Sequence, residues 1–211
     1  MYLRFNPIAN EAAREYALEL KSKDGTALWV SHPDDSVDVA VIPIEFSLLM
    51  EHAMQVDCFR SNQNIANVDK LNDLGITEGD FVFVLGYPMG IVGDFRNTVI
   101  VRSGSIARIR DALTRDSKEY MIDAFVFPGN SGGPVVIKPN TVSITGTKAQ
   151  KGAYLIGIVK AYVPYEDIAY SLQTKPPRPR VSFQENSGLA LVHPIDFVQD
   201  AIEEHKKTVK P

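Results

Sequence analysis

The sequence predicts an all-β fold, a barrel or a sandwich, on three observations. Short runs of apolar or alternating residues recur along the chain with turn residues between them. Only two stretches carry a convincing helical pattern. Hydrophobic residues make up 45% of the 211-residue chain, enough core for one large β domain or two smaller units sharing an interface.

The elements follow in order. "YLRFN" (2–6), "YALELKS" (16–22), "ALWVSH" (27–32) and "VDVAVIPI" (37–44) read as strands. Asp24-Gly25 predicts a hairpin turn joining the second and third of these. "NPIANEAAREY" fits a helix or a loop equally, and "FSLLMEHAM" (46–54) predicts a short helix. The polar, Asn-rich stretch 60–79 predicts a linker between two β-rich halves. Six further strands are expected at 80–88, 97–109, 120–127, 132–138, 153–163 and 188–194. The Pro-rich stretch 164–186 reads as a long loop. "PIDFVQDAIEEHKK" (194–207) predicts a helix, because Pro194 sits near its first turn and Val198, Ala201 and Ile202 share a face. No internal repeat is visible.

Composition narrows the function. The net charge of -4 argues against a nucleic-acid partner, which a basic excess would accompany. No apolar run reaches the length of a membrane span, and "MYLRFNPIAN" lacks the apolar core of a signal peptide. Cys58 is the only cysteine, so an internal disulfide and a CxxC metal site are excluded. No two histidines have metal-ligand spacing on one element, and neither metal nor cofactor is expected. These features favour a cytoplasmic setting.

The chemistry concentrates in "DAFVFPGNSGGPVV", residues 123–136. Glycines on both sides of Ser131 permit a tight turn with a hydroxyl at its tip and room for a substrate carbonyl. A serine needs a base within hydrogen-bond reach and donors for the oxyanion it creates. The backbone N–H groups of Gly129 and Ser131 are placed to be those donors. A bare G-x-S-x-G also marks hydrolases in which a strand precedes the serine and a helix follows. Here strands are expected on both sides, which disfavours that class.

The full run Gly129-Asn130-Ser131-Gly132-Gly133-Pro134 resembles the nucleophile motif of chymotrypsin-like serine peptidases, in particular the bacterial disulfide-free, HtrA-like branch. The resemblance runs in order through "VDVAVIPI" (37–44), "EGDFVFVLGYPMGI" (79–91 and adjoining), "VIVRSGSIARI" (99–109), "YLIGIVKAYV" (154–163) and "NSGLALVHPIDFVQDAIEE" (186–204). It implies a trypsin-like fold of two Greek-key β-barrels with a C-terminal helix. Residues 1–75 would hold the N-terminal barrel portion and linker, and residues 76–211 the C-terminal barrel with the nucleophile turn. No PDZ-like segment follows residue 205.

Residue by residue, the resemblance implies Ser131 as nucleophile, Gly129 and Ser131 as oxyanion hole, and Asp38 as the aspartate that orients the catalytic histidine. Phe125 falls at the base of the specificity pocket, where an aromatic makes the pocket shallow or closed. Lys160 and Ala161 match the strand that pairs with extended substrate, Gly188 matches the pocket's opposite wall, and Asp123 is expected beneath the turn.

The histidine is the departure. Only 37 residues precede Asp38, and His32 is the one histidine among them, in a context that resembles the strand leading to the aspartate. His193 is expected on the wall of the second barrel, and His52 and His205 facing solvent. The expectation is a chain that begins inside the first barrel, with its histidine encoded upstream, cut away or lost. An incomplete first barrel would expose sheet edges that invite pairing with another copy. The expected partner is a peptide or protein substrate, hydrolysed through an acyl-enzyme. The alternative is an inactive pseudo-peptidase that binds peptides without cutting them.

Overall fold

The computed structural model describes residues 1–139, 152–173 and 175–208. Six strands close into an antiparallel barrel: β5 (Phe81–Gly86), β6 (Ile100–Arg108), β7 (Tyr120–Asp123), β8 (Pro134–Ile137), β9 (Tyr154–Ser171) and β10 (Arg178–Pro194), neighbouring in the order β10-β7-β6-β5-β8-β9. Alternation explains the core. Val82 and Val84 of β5, Ile122 of β7, Val135 of β8, Ile156 of β9 and Ala190 and Val192 of β10 point inward and are fully buried. This is the second barrel expected from the sequence.

Two small ladders precede it. β1 (Tyr2–Phe5) pairs only with β2 (Arg14–Ala17), and β3 (Val30–Ser31) only with β4 (Ala40–Val41). Neither ladder closes into a barrel among the described residues. The predicted hairpin survives as a turn and not as a strand pair. Asp24 accepts from the Thr26 N–H at 3.0 Å, yet among the described residues only the Lys21–Ala27 bridge joins its arms.

Each ladder reaches the barrel differently. β1 is bound by polar contacts to the loop after β5: Arg4 Nη1 donates to Gly93 O at 3.0 Å, and Asn6 and Asn97 exchange bonds of 2.9 and 2.7 Å. Beside β4, Val37 and Val39 pack on Ala201, Phe197 and Val198 of the C-terminal helix. The short helix α1 (Phe46–Glu51) follows, with Glu45 accepting from the Ser47 N–H at its start.

Two sequence expectations need correction. The stretch 60–79 contains a helix, α2 (Val68–Leu74), capped by Asn67, whose Oδ1 accepts from Lys70 N–H at 3.0 Å, and closed by Gly75 at φ +67. Leu71, with flanking Ala66 and Ile76, buries into the barrel core. The stretch 164–186 contains strand, not loop, since β9 and β10 continue past the barrel as a two-stranded arm. A one-turn helix, α3 (Arg110–Leu113), follows β6, and α4 (Ile195–Thr208) ends the described chain. Asp196 in the first turn of α4 and His205, Lys206 and Lys207 in its last complement the helix dipole.

Candidate active site

Between β7 and β8 the chain turns through residues 124–133. Ala124 and Val126 are buried and Phe125 between them is exposed, so the strand alternation persists to the turn's mouth. Asn130 is the turn's keystone, at 1% exposure. Its Oδ1 accepts from Phe127 N–H at 3.0 Å, and its backbone carbonyl accepts from Gly133 N–H at 2.8 Å.

Gly129 adopts φ +96, and a Cβ there would lie 2.6 Å from Tyr87 O and 3.1 Å from Met89 N. Only glycine fits both the conformation and the space. The turn thus stacks backbone to backbone on the Gly-Tyr-Pro turn after β5, with Met89 N–H donating to Pro128 O at 2.6 Å. On its other side it is pinned to β9: Gly132 N–H donates to Val159 O at 2.8 Å and Val159 N–H to Gly133 O at 2.9 Å.

This bracing presents Ser131. The residue is exposed, and its Oγ donates to the Lys160 carbonyl at 3.2 Å. The N–H groups of Gly129 and Ser131 donate to no acceptor among the described residues. An exposed hydroxyl thus stands in a turn braced on both sides, with the Gly129 and Ser131 N–H groups free of acceptors among the described residues.

The same run of chain matches a trypsin-like peptidase domain over residues 8–142. The chain belongs to the trypsin-like peptidase family. No curated protein matches it. The family match covers β2, the β3–β4 ladder, β5 to β8 and the Ser131 turn.

The other residues singled out in the sequence are placed as follows. The Phe125 ring lies against Gly188, whose φ is +85 and whose added Cβ would meet the ring at 3.5 Å. Asn186 holds this corner by donating from Nδ2 to Val126 O at 2.5 Å and accepting from Gly188 N–H at 2.9 Å. The Phe125 ring itself remains 54% exposed. Lys160 directs its ammonium to Glu119, 2.8 Å away, while its carbonyl faces Ser131. Ala161 pairs with Leu191 in the ladder.

Asp38 is exposed, between buried Val37 and Val39, and bonds no histidine. Asp123, expected beneath the turn, is exposed on the barrel surface instead; the buried polar residue there is Asn130. The signal for Asn130 was present inside the glycine motif but was overshadowed by the serine beside it.

None of the four histidines bonds Ser131. His32 is buried, with Nδ1 accepting from Asp34 N–H at 3.0 Å and Nε2 3.6 Å from Asp200. His193 is buried, its Nδ1 3.0 Å from the Lys118 carbonyl. The two rings pack edge-on against Phe197, at 5.2 and 5.8 Å between centroids. His52 is exposed and bonds the Tyr16 hydroxyl at 3.0 Å. His205 is half-buried near the end of α4, not facing solvent freely.

Proposed function

We propose that this chain is a serine endopeptidase component that accepts an acyl group on Ser131 while an extended peptide lies along the Lys160–Tyr162 edge of β9. The observation that carries the reading is the braced turn: an exposed Oγ beside the unpaired N–H groups of Gly129 and Ser131. Amides aimed at a developing oxyanion stabilise the transition state by about 3–4 kcal/mol per donor in comparable sites. An exposed aromatic ring beside Gly188, in place of a carboxylate, favours small or shallow side chains at the bond to be cleaved and disfavours Lys or Arg.

Nucleophilic attack also needs a base. The reading assigns Asp38 to orient an imidazole, and none of the four histidines is bonded to Ser131 or Asp38. That imidazole is the part of the triad these residues do not supply. Without it turnover falls by about 10⁶-fold, although the oxyanion hole and cleft still function.

A second reading follows from the same observation: a peptide-binding module that holds extended segments on the β9 edge without cutting them. The Ser131 hydroxyl donating to Lys160 O, with no base in contact, favours it. A fluorophosphonate probe separates the two. Labelling that vanishes in Ser131→Ala supports an activated nucleophile. A folded sample that resists labelling but binds peptides supports the module. Comparing ester with peptide substrates then tests for acyl transfer beyond peptide bonds.

A further inference from the structure

Past the barrel, β9 and β10 form an arm whose residues 164–170 and 178–185 are all exposed. An isolated two-stranded ribbon is only marginally stable in water, because one face has nothing to bury against. The register shows which face lacks a partner. Tyr165 opposes Glu185, Asp167 opposes Phe183, Ala169 opposes Val181 and Ser171 opposes Arg178. Directly opposed residues share a face, so Tyr165, Phe183 and Val181 form one apolar strip, at 57%, 53% and 50% exposure. The reverse face pairs Glu166 with Gln184, Ile168 with Ser182 and Tyr170 with Pro179; it is also partly apolar, but these pairs carry no basic residue to set against Glu166, whereas the first face carries both Glu185 and Arg178.

The edges of the arm are guarded. Pro164 and Pro179 sit within the ladder and cannot donate. The Ile168 N–H is already held by the Asp167 carboxylate at 2.8 Å. Strand addition at the edge is thereby discouraged, while the apolar face is left open.

Charge indicates what covers that face. Glu166, Asp167 and Glu185 lie toward the barrel, and Lys175, Arg178 and Arg180 toward the tip. None of the six forms an ion pair among the described residues. Arg178 and Glu185 are separated by roughly 23 Å of strand, at about 3.3 Å per residue, so they cannot meet within one arm. A second arm laid antiparallel across the first, about a two-fold axis, brings each basic tip to the other's acidic base. Val181 and Phe183 then fall near the axis. The surface is self-complementary, as an isologous dimer interface must be.

We propose that the protein dimerises through this face, two copies packing their Tyr165, Val181 and Phe183 side chains together with Arg178 of each opposite Glu185 of the other. The interface is small, at the low end of stable ones, so the equilibrium should shift with concentration. It is independent of the peptidase reading and differs from association through the N-terminal ladder edges.

Sedimentation velocity on the full chain across a concentration series tests it. The wild type should show a dimer that grows with concentration. Arg178→Glu alone and Glu185→Arg alone should each be monomeric, since like charges then face each other twice. An equimolar mixture of the two variants should recover the dimer, because both pairs become complementary. Circular dichroism verifies that each variant is folded, and either one suffices if the other is not. A wild type that stays monomeric throughout overturns the proposal, including a monomer whose arm face is protected from hydrogen exchange by its own chain. So does a dimer indifferent to both substitutions, or a mixture that remains monomeric.

Discussion

Residues 81–194 and residues 1–60 are both built from strands, yet they solve the edge problem differently. In the barrel every strand has two hydrogen-bonded neighbours, and the inward residues of β5, β7, β8, β9 and β10 reach zero exposure. In the first region each strand has one neighbour, and burial is confined to Pro7, His32, Val37, Val39, Leu49 and Met54. Closure lets a barrel satisfy its own ladder and bury its own core. A lone ladder must borrow both from elsewhere. β1 borrows polar partners from the loop after β5, and the β3–β4 pair borrows an apolar surface from α4. The Ser131 turn is carried by the closed region, braced on the turn after β5 and on β9.

The largest effect should come from the barrel core. Ile122→Ala is expected to cost about 2–5 kcal/mol and to lower the thermal midpoint by roughly 5–15 °C. Met54→Ala removes a side chain that is equally buried but belongs to neither buried apolar cluster, so the surroundings can collapse into the space. Its expected cost is at or below the bottom of that range. Equal midpoints for the two variants would break the comparison.

Phe197→Ala tests the borrowing. Its ring is half-buried between His32 and His193, so about 2–3 kcal/mol is expected, below the cost at a fully buried site. The sharper readout is amide hydrogen exchange. Protection should fall across residues 30–41 while β5 to β8 hold theirs. Uniform loss across both regions would mean that they unfold as one unit.

The smallest of the three is electrostatic and local to the barrel. Burial pushes the Glu78 carboxyl up, but hydrogen bonds from its own N–H, the Ile109 N–H, the Thr77 hydroxyl and Arg110 outweigh it and hold the group down at about 2. A depressed carboxylate contributes stability above its unfolded value, and that contribution is lost as pH falls through its folded value. Glu78→Gln should therefore cost about 1–3 kcal/mol near neutrality. The difference from wild type should shrink from about pH 4.5 downward and close near pH 2. A difference that stays constant over that range would assign the effect to lost packing.

Much of the barrel was legible because each of its strands carries local information. "FVFVLG" and "VIVRSGSIAR" show alternation, and Gly129, Gly132 and Gly133 announce the turn. The helix at 195–208 was readable within a residue from its apolar face. The α2 helix was missed although Asn67 and Gly75 mark both its ends, because its polar composition resembles a linker and only Leu71 and its neighbours reach the core. The arm was missed because prolines usually end strands, and Pro164 and Pro179 are tolerated here only at a ladder with open edges.

The order of residues was enough to specify a second barrel, a serine at the tip of a glycine turn, and the shortage of a histidine near Asp38. These depend on periodicity and on short-range backbone geometry, which lie within a few residues of one another. Which groups meet across the fold was settled by packing alone: Ser131 against the Lys160 carbonyl, Phe125 against Gly188, and His32 and His193 against Phe197, while residues 164–170 and 178–185 of the arm stay exposed. Such meetings join residues dozens of positions apart, and only the closing of the sheet and the docking of α4 bring them within contact.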